Sequence, residues 1–398
     1  MRLRKRYQVY LALFLWPLTS ICQTQNSARV QLYGGFSYFS NSFNGVPGQR
    51  APQLGWDSAI AARIWHNVRF KFDVSGESGH NDGASQKAKF FLGGFEDGRM
   101  VGRERLFAHA LFGDVGITRY WGPKALPGGT ASFAYLLGGG VDTPISRHFA
   151  IRVEGDLQHT NLYLVKSAPD AVPYRSPGLP RYMGRFSTGL VWTPKLGNPA
   201  SIHRSDGGKK PPPETDIVFE GRSSFGHFHV LAGTWWSYLH AGGVEYDRNI
   251  WGHLMKARWD YTMEILPFVI LRQPSKADTW GDPGSAANLN TPGLGISPFG
   301  FRLLWRDGTR FQPYYVVKFG VIGFTHKAFS PYASYENISF QQAVGAQFHV
   351  AGNWGFRTGV ADFHISNGFI VPNDPGIDEM MYDGGLVYHI HRKKAAVR

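Results

Sequence analysis

Three polar residues near the C-terminal end of the chain stand in an order suited to acyl chemistry. In Phe363-His364-Ile365-Ser366-Asn367-Gly368 a histidine and a serine lie two apart in a run that reads as a β-strand. Residues i and i+2 of a strand point to one face, so the imidazole and the hydroxyl are neighbours. A serine nucleophile needs that placement of its general base. Pro372-Asn373-Asp374-Pro375-Gly376-Ile377-Asp378 follows. Its prolines and glycine make a turn, and Asp378 at the start of the next strand can return to orient the imidazole. A His-x-Ser spacing also arises by chance, so the elements that would hold these groups decide its meaning.

The chain has 398 residues, long enough for two domains, with 15% aromatic residues, 49 glycines and 18% charged residues. Its formal charge is +13, part of it from Arg2, Arg4, Lys5 and Arg6 at the start. The remaining excess suits anionic partners. No aromatic-basic nucleic-acid module is visible, so lipid phosphate is the expected partner and nucleic acid is not. The basic start runs into Val9–Leu18 and then small and polar residues, the pattern of a secretory signal peptide over residues 1–24, cut soon after Ser20-Ile21-Cys22. The apolar run is too short for a membrane anchor and Pro17 breaks it. Cys22 is the only cysteine, so no intrachain disulfide framework is expected, and Leu18-Thr19-Ser20-Ile21 is a poor lipoprotein signal. No later stretch is a long uninterrupted apolar run. For a secreted chain rich in aromatics and glycine, the remaining way through a membrane is the closed β-barrel.

Alternation supports this. Arg29–Phe39, Ala59–Trp65, Val68–Val74, Lys87–Gly94, Leu106–Arg119, Phe133–Val141, His148–Asp156 and Phe186–Trp192 read as eight strands. Turns fall at His66-Asn67 and at Asp142-Thr143-Pro144, and long loops at 40–55 and 163–182. The triple glycine at 138–140 has no helix pattern or lysine after it, so it reads as close packing within a strand and not as a phosphate loop. By this pattern, residues 28–193 resemble the OmpA/opacity-type family of small outer-membrane barrels.

Composition then shifts. Residues 194–215, with Lys209-Lys210-Pro211-Pro212-Pro213, read as an extended linker that runs to about Asp216. An even-stranded barrel brings both ends out on one side, so a periplasmic linker and two barrels side by side are expected. Residues 216–391 repeat the architecture: Phe225–Thr234, Trp235–Tyr246, Met255–Leu271, Phe299–Trp305, Tyr314–Phe324, Gln342–Val350, Trp354–Ser366 and Met381–Ile390. Gln273–Ser297 reads as the longest loop of this half, and Trp235-Trp236 and Tyr314-Tyr315 as girdle aromatics. The fold class is therefore all-β: two tandem antiparallel outer-membrane barrels of about eight strands each, joined by a proline-rich linker. The pairs His227/His229 and His389/His391 have no carboxylate or cysteine at a recognisable spacing, so they read as solvated strand histidines, not metal ligands.

With a barrel around it, the stretch from His364 resembles the lipid A 3-O-deacylase (PagL) family of outer-membrane esterases. The likeness covers residues 216–390 and centres on His364-x-Ser366-Asn367 and on Pro372-Asn373-Asp374 leading to Gly376-Ile377-Asp378. It implies Ser366 as nucleophile, His364 as base and Asp378 as orienting acid, where the family usually has glutamate. Glu379 would point to the opposite face of the strand. It further implies an oxyanion site from Asn367 and Asn373, with Gly368 adding a backbone donor. His-x-Ser-Asn-Gly also resembles the calcium-dependent outer-membrane phospholipase A family. That family has asparagine as third member and an arginine-containing motif after it, whereas this chain has an acid and no arginine cluster, so no metal or other cofactor is called for. Alternation alone turns Asp362, His364 and Ser366 to the lumen and Ala361, Phe363 and Ile365 to lipid. The resemblance implies the opposite, an outer-wall site near the rim, and that is the expectation adopted. The expected activity is hydrolysis of an ester-linked acyl chain of lipid A, with lipopolysaccharide and outer-membrane lipids as partners. The competing class is a non-catalytic barrel: an anchor, an adhesin or a small pore.

Overall fold

The computed structural model describes residues 29–39, 52–81, 84–121, 124–125, 130–160, 182–194, 215–227, 237–273, 289–329, 333–368, 370 and 376–391. The expected signal peptide, nearly all of the linker, Trp235-Trp236, His229 and Asn373 lie outside them. Strand follows strand: β1 (Val30–Phe39), β2 (Gln53–Trp65), β3 (Val68–Asn81), β4 (Ala84–Val101), β5 (Glu104–Trp121), the short β6 (Lys124–Ala125), β7 (Thr130–Pro144), β8 (Phe149–Thr160) and β9 (Tyr182–Trp192). After the linker come β10 (Thr215–His227), β11 (Tyr238–Leu254), β12 (Ala257–Gln273), β13 (Leu289–Trp305), β14 (Phe311–Phe324), β15 (Glu336–Ala351), β16 (Trp354–Ser366) and β17 (Gly376–Ile390).

Each half closes on itself. β1 pairs with β2 and β9, and β4 with β5, so eight antiparallel strands close the first barrel, with β6 a two-residue ribbon on β5. In the second, β10 pairs with both β11 and β17, closing β10 to β17. Tight turns gather at one end. His66, Met255 and Lys256 take left-handed φ values of 44°, 52° and 62°, and Gly102 and Gly352 take 64° and 61°, as two-residue hairpins require. Long loops gather at the other end. In bacterial barrels the turn end is periplasmic and the loop end external.

The barrels are inside out relative to a soluble protein. Arg69, Arg152, Arg302, Arg357, Lys71 and Lys318 are fully buried in the lumens, while Phe36, Leu54, Phe268, Leu294, Val344 and Leu386 are exposed on the outer walls. In the first lumen Arg185 meets Asp73 at 3.0 Å and Asp156 at 2.8 Å, and Lys71 meets Glu154 at 3.1 Å. In the second, Asp216 binds Arg302 at 2.6 Å, Arg258 at 2.8 Å and His389 at 2.8 Å. Buried charges are tolerable only when paired in this way. Above these ion pairs, the loop-end half of the second lumen is filled by an apolar cluster including Leu239, Leu271, Phe324, Phe363, Ile365 and Met381.

The structure corrects several boundaries. Thr215 and Asp216 begin β10, ten residues before the expected first strand of this half, and Asp216 is a lumen hub and not linker. Met255 and Lys256 are a turn, not strand. Leu289–Ser297, expected as loop, belong to β13, whose register shifts between Ile296 and Phe299 admit Pro298. Pro144 pairs with Ala150 within the β7–β8 ladder, and the turn follows it at 145–148. His389 is buried against Asp216 and is not solvated. The triple glycine lies in β7, where a Cβ on Gly138 would fall 1.9 Å from the Asp156 carboxylate.

Candidate active site on the outer wall

Antiparallel pairing builds the site. β16 and β17 run side by side with His364 directly opposite Asp378 and Ser366 opposite Gly376. Directly opposed residues have Cβ atoms about 5 Å apart, so an aspartate reaches across to the imidazole. His364 Nδ1 lies 2.5 Å from Asp378 Oδ1, and His364 Nε2 lies 3.2 Å from Ser366 Oγ. A carboxylate only accepts, so Nδ1 carries the proton and donates to Asp378. Nε2 is then left as the acceptor for the serine hydroxyl. The aspartate carboxyl is fully buried, whereas the imidazole keeps 13% of its surface accessible.

The face is the outer one. Phe363 and Ile365 are fully buried in the lumen cluster, and Asp362, His364 and Ser366 alternate with them outward. Alternation read alone assigns these faces the other way round, because it assumes a polar lumen. At this level the lumen is an apolar plug, so the polar set is the one that faces out. Glu379 lies on the lumen side of β17, buried, away from His364.

After Ser366 the chain turns. Gly368 takes φ +57°, and the Asn367 carbonyl accepts the Ile370 amide at 3.1 Å. A Cβ on Gly368 would lie 2.3 Å from Ile338 Cδ1, so the turn packs tightly on β15. Asn367, next to Ser366 in the chain, is fully buried. The triad residues are therefore brought together, Asn367 and Gly368 border them, and Asn373 falls outside the described residues. Sequence reasoning missed a polar chain just below His364: Gln342 donates to Asp362 at 3.1 Å and accepts from the Tyr315 hydroxyl at 3.3 Å. These groups come from three strands, and only the register reveals them. Two acidic trios in the lumens, Asp57-Asp73-Glu154 and Glu220-Glu245-Glu264, have metal-like spacing. Arg185 and Lys71 hold the first, and Arg222, Lys318 and Arg357 the second, so cations of the chain already compensate them.

No protein-family model and no curated protein matches the chain. Among solved structures, neisserial surface protein A matches at 12% identity over 41% of this chain and 95% of its own, with a TM-score of 0.32. The outer membrane enzyme PagL matches at 16% identity over 44% of this chain and 99% of its own, with a TM-score of 0.29. The β domain of the Bordetella autotransporter BrkA matches at 9% identity over 92% of this chain and 100% of its own, with a TM-score of 0.22. All three fall far below the similarity at which one protein's activity can be read from another's. Closed strands, charged lumens and apolar outer walls make the chain an outer-membrane type of barrel protein on its own evidence.

Proposed function

We propose that the C-terminal barrel is a serine esterase of the Gram-negative outer membrane that releases an ester-linked acyl chain from lipid A. One observation carries this reading: a hydrogen-bonded Ser366–His364–Asp378 series stands on the lipid-facing wall at the loop end of the barrel. Polar side chains are costly on such a wall, and this set is arranged for nucleophilic attack. Ser366 attacks the ester carbonyl while His364 Nε2 takes its proton and passes it to the departing sugar oxygen. Asp378 holds the imidazolium. Water, activated by the same histidine, then frees the fatty acid and restores the serine. For the oxyanion we assign the Gly368 amide and the Asn367 and Asn373 side chains, by likeness to the family. A cleaved signal peptide delivers the chain to that membrane.

The test is mass spectrometry of lipid A from cells that express the protein, beside a Ser366→Ala control. Loss of one hydroxyacyl chain with the wild type alone supports the deacylase and names the bond. Unchanged lipid A with both proteins removes this substrate, and hydrolysis of phospholipid by the wild type alone would then make the enzyme a phospholipase. For the N-terminal barrel a non-catalytic role as anchor or adhesin is a better reading than a pore, because ion pairs of Arg185, Lys71 and Arg152 cross its lumen.

A further inference from the structure

The lumen of the first barrel is polarised along its axis. Val30, Ala62 and Phe70 face outward and pack with Trp251, so their neighbours Arg29, Arg63 and Arg69 turn inward. These three form one row at the start of β1, the end of β2 and the start of β3. The Arg63 amide donates to the Arg29 carbonyl at 2.7 Å, and Arg63 opposes Arg69 in the β2–β3 ladder. Arg29 and Arg63 are half-buried at the turn end, and Arg69, at 1% exposure, lies deepest. Arg105 and Arg152 come in from β5 and β8, close enough for their charges to act on Arg69. The periplasmic mouth of this lumen is therefore lined by guanidinium groups.

Carboxylates do not match them there. Glu96 and Asp142 reach this level, and both are taken up by Arg105, at 2.7 Å and 3.1 Å, and by Arg152, at 3.5 Å and 2.7 Å. The acidic trio Asp57, Asp73 and Glu154 lies higher, since Asp73 is four residues beyond Arg69 on β3, about 13 Å along a strand. Arg185 and Lys71 hold that trio. Among the described residues, five guanidinium charges thus meet two carboxylate charges at the mouth. Like charges directly opposed weaken a ladder, and buried charge calls for counter-charge. The mouth is also preformed. The Phe107 ring lies 5.5 Å from the Arg105 guanidinium and 4.3 Å from that of Arg152, and Asp142 accepts from both. Above it, the ion pairs of Lys71 and Arg185 close the lumen, so whatever enters leaves by the same end.

We infer that this mouth is a receptor for a phosphate-bearing anion at the periplasmic face, which the N-terminal barrel binds and does not conduct. The inference is independent of the esterase reading. The excess of positive charge is more than one carboxylate neutralises. A phosphate monoester or pyrophosphate brings about two or more negative charges, and pairs of oxygens that guanidinium forks grip through parallel N–H bonds. Arg69 meets the terminal phosphoryl group, and Arg63 and Arg29 meet the group behind it.

The test uses the purified full chain in zwitterionic detergent micelles, titrated calorimetrically with inorganic pyrophosphate. One site per chain is expected, and Arg63→Gln and Arg29→Gln should each weaken it about tenfold or more. Both residues are half-buried, and removing one of several like charges leaves the barrel able to fold. Pyrophosphate should also raise the heat-denaturation midpoint of the wild type, whereas acetate at equal ionic strength should not. Wild-type protein that takes up no pyrophosphate, variants that bind it as tightly as the wild type, or an equal effect of acetate would each overturn the proposal. Adding phosphatidylglycerol to the micelles then reads the source of the phosphate. Undiminished binding of pyrophosphate supports a soluble phosphate as ligand, and competition supports a lipid headgroup at the rim in the same site.

Discussion

At the scale of the residue, the site depends on two hydrogen bonds that share one imidazole. In the proposed mechanism, removing the serine or the histidine breaks the same pathway, so the losses should not add. Ser366→Ala and His364→Ala should each lower ester hydrolysis by about a thousandfold or more, and the double variant should fall no further than the worse single one. Purified proteins assayed on one short-chain ester would show this, and a fully additive double loss would mean that the two residues act apart. Asp378→Asn is a finer probe. It preserves size, but its amide can donate to Nδ1 and favour the tautomer that carries its proton on Nε2, facing the serine. Activity should drop by about a thousandfold or more with the barrel still heat-modifiable on a gel. A residual rate near that of the wild type would assign Asp378 a packing role only.

At the scale of the element, β16 and β17 place the triad and the turn after Ser366 holds it in place. Gly368 is left-handed and abuts Ile338, so Gly368→Val should meet both a φ penalty and a contact. A cost of about 1–2 kcal/mol is expected, read as a lower unfolding midpoint in urea, together with reduced hydrolysis. An unchanged midpoint would show that the turn is not what fixes Ser366. Much of this level was legible in the chain itself. The eight strands of the first barrel and most of those of the second follow from alternation and turn residues, and His364 with Ser366 follows from a period of two. The acid was reachable only because its strand begins beside it in sequence. The facing of the site was not legible from alternation, because Phe363 and Ile365 read equally well toward lipid or toward an apolar plug. Nor was β10, whose first residues follow prolines and look like linker until Asp216 is seen to gather Arg258, Arg302 and His389. Asp216→Ala should strand those cations in the lumen and cost about 3–5 kcal/mol. Loss of the heat-modifiable form would report it, and an unshifted midpoint would deny Asp216 its role as hub.

At the scale of the whole molecule, the two barrels touch through their outer walls, and on the side away from the triad. Trp251 is fully buried among Val30, Ala62, Phe70 and Phe299, and its indole Nε1–H donates to the Arg63 carbonyl at 2.7 Å. A register shift in β11 between Asn249 and Gly252 places it there. Phe70 of the first barrel stacks on Phe299 of the second with ring centroids 3.5 Å apart and planes 7° from parallel. In a bilayer the apolar area of such a contact gives little net gain, since lipid tails solvate phenyl rings as well as other rings do, and close packing and hydrogen bonds decide. Trp251 supplies both. Its partners lie on β1 to β3 and on β11 to β14, so the wall of β16, β17 and β10 stays open to lipid. Trp251→Ala combined with Phe299→Ala should therefore loosen the pair without touching the triad. The expected result is a single heat-denaturation transition in the wild type that splits into two in the variant, with hydrolysis of a short-chain ester within about twofold of normal. A variant that still unfolds in one unshifted step would mean the barrels do not stabilise each other. A variant with two steps and lost hydrolysis would instead make the N-terminal barrel part of what holds the catalytic wall in shape.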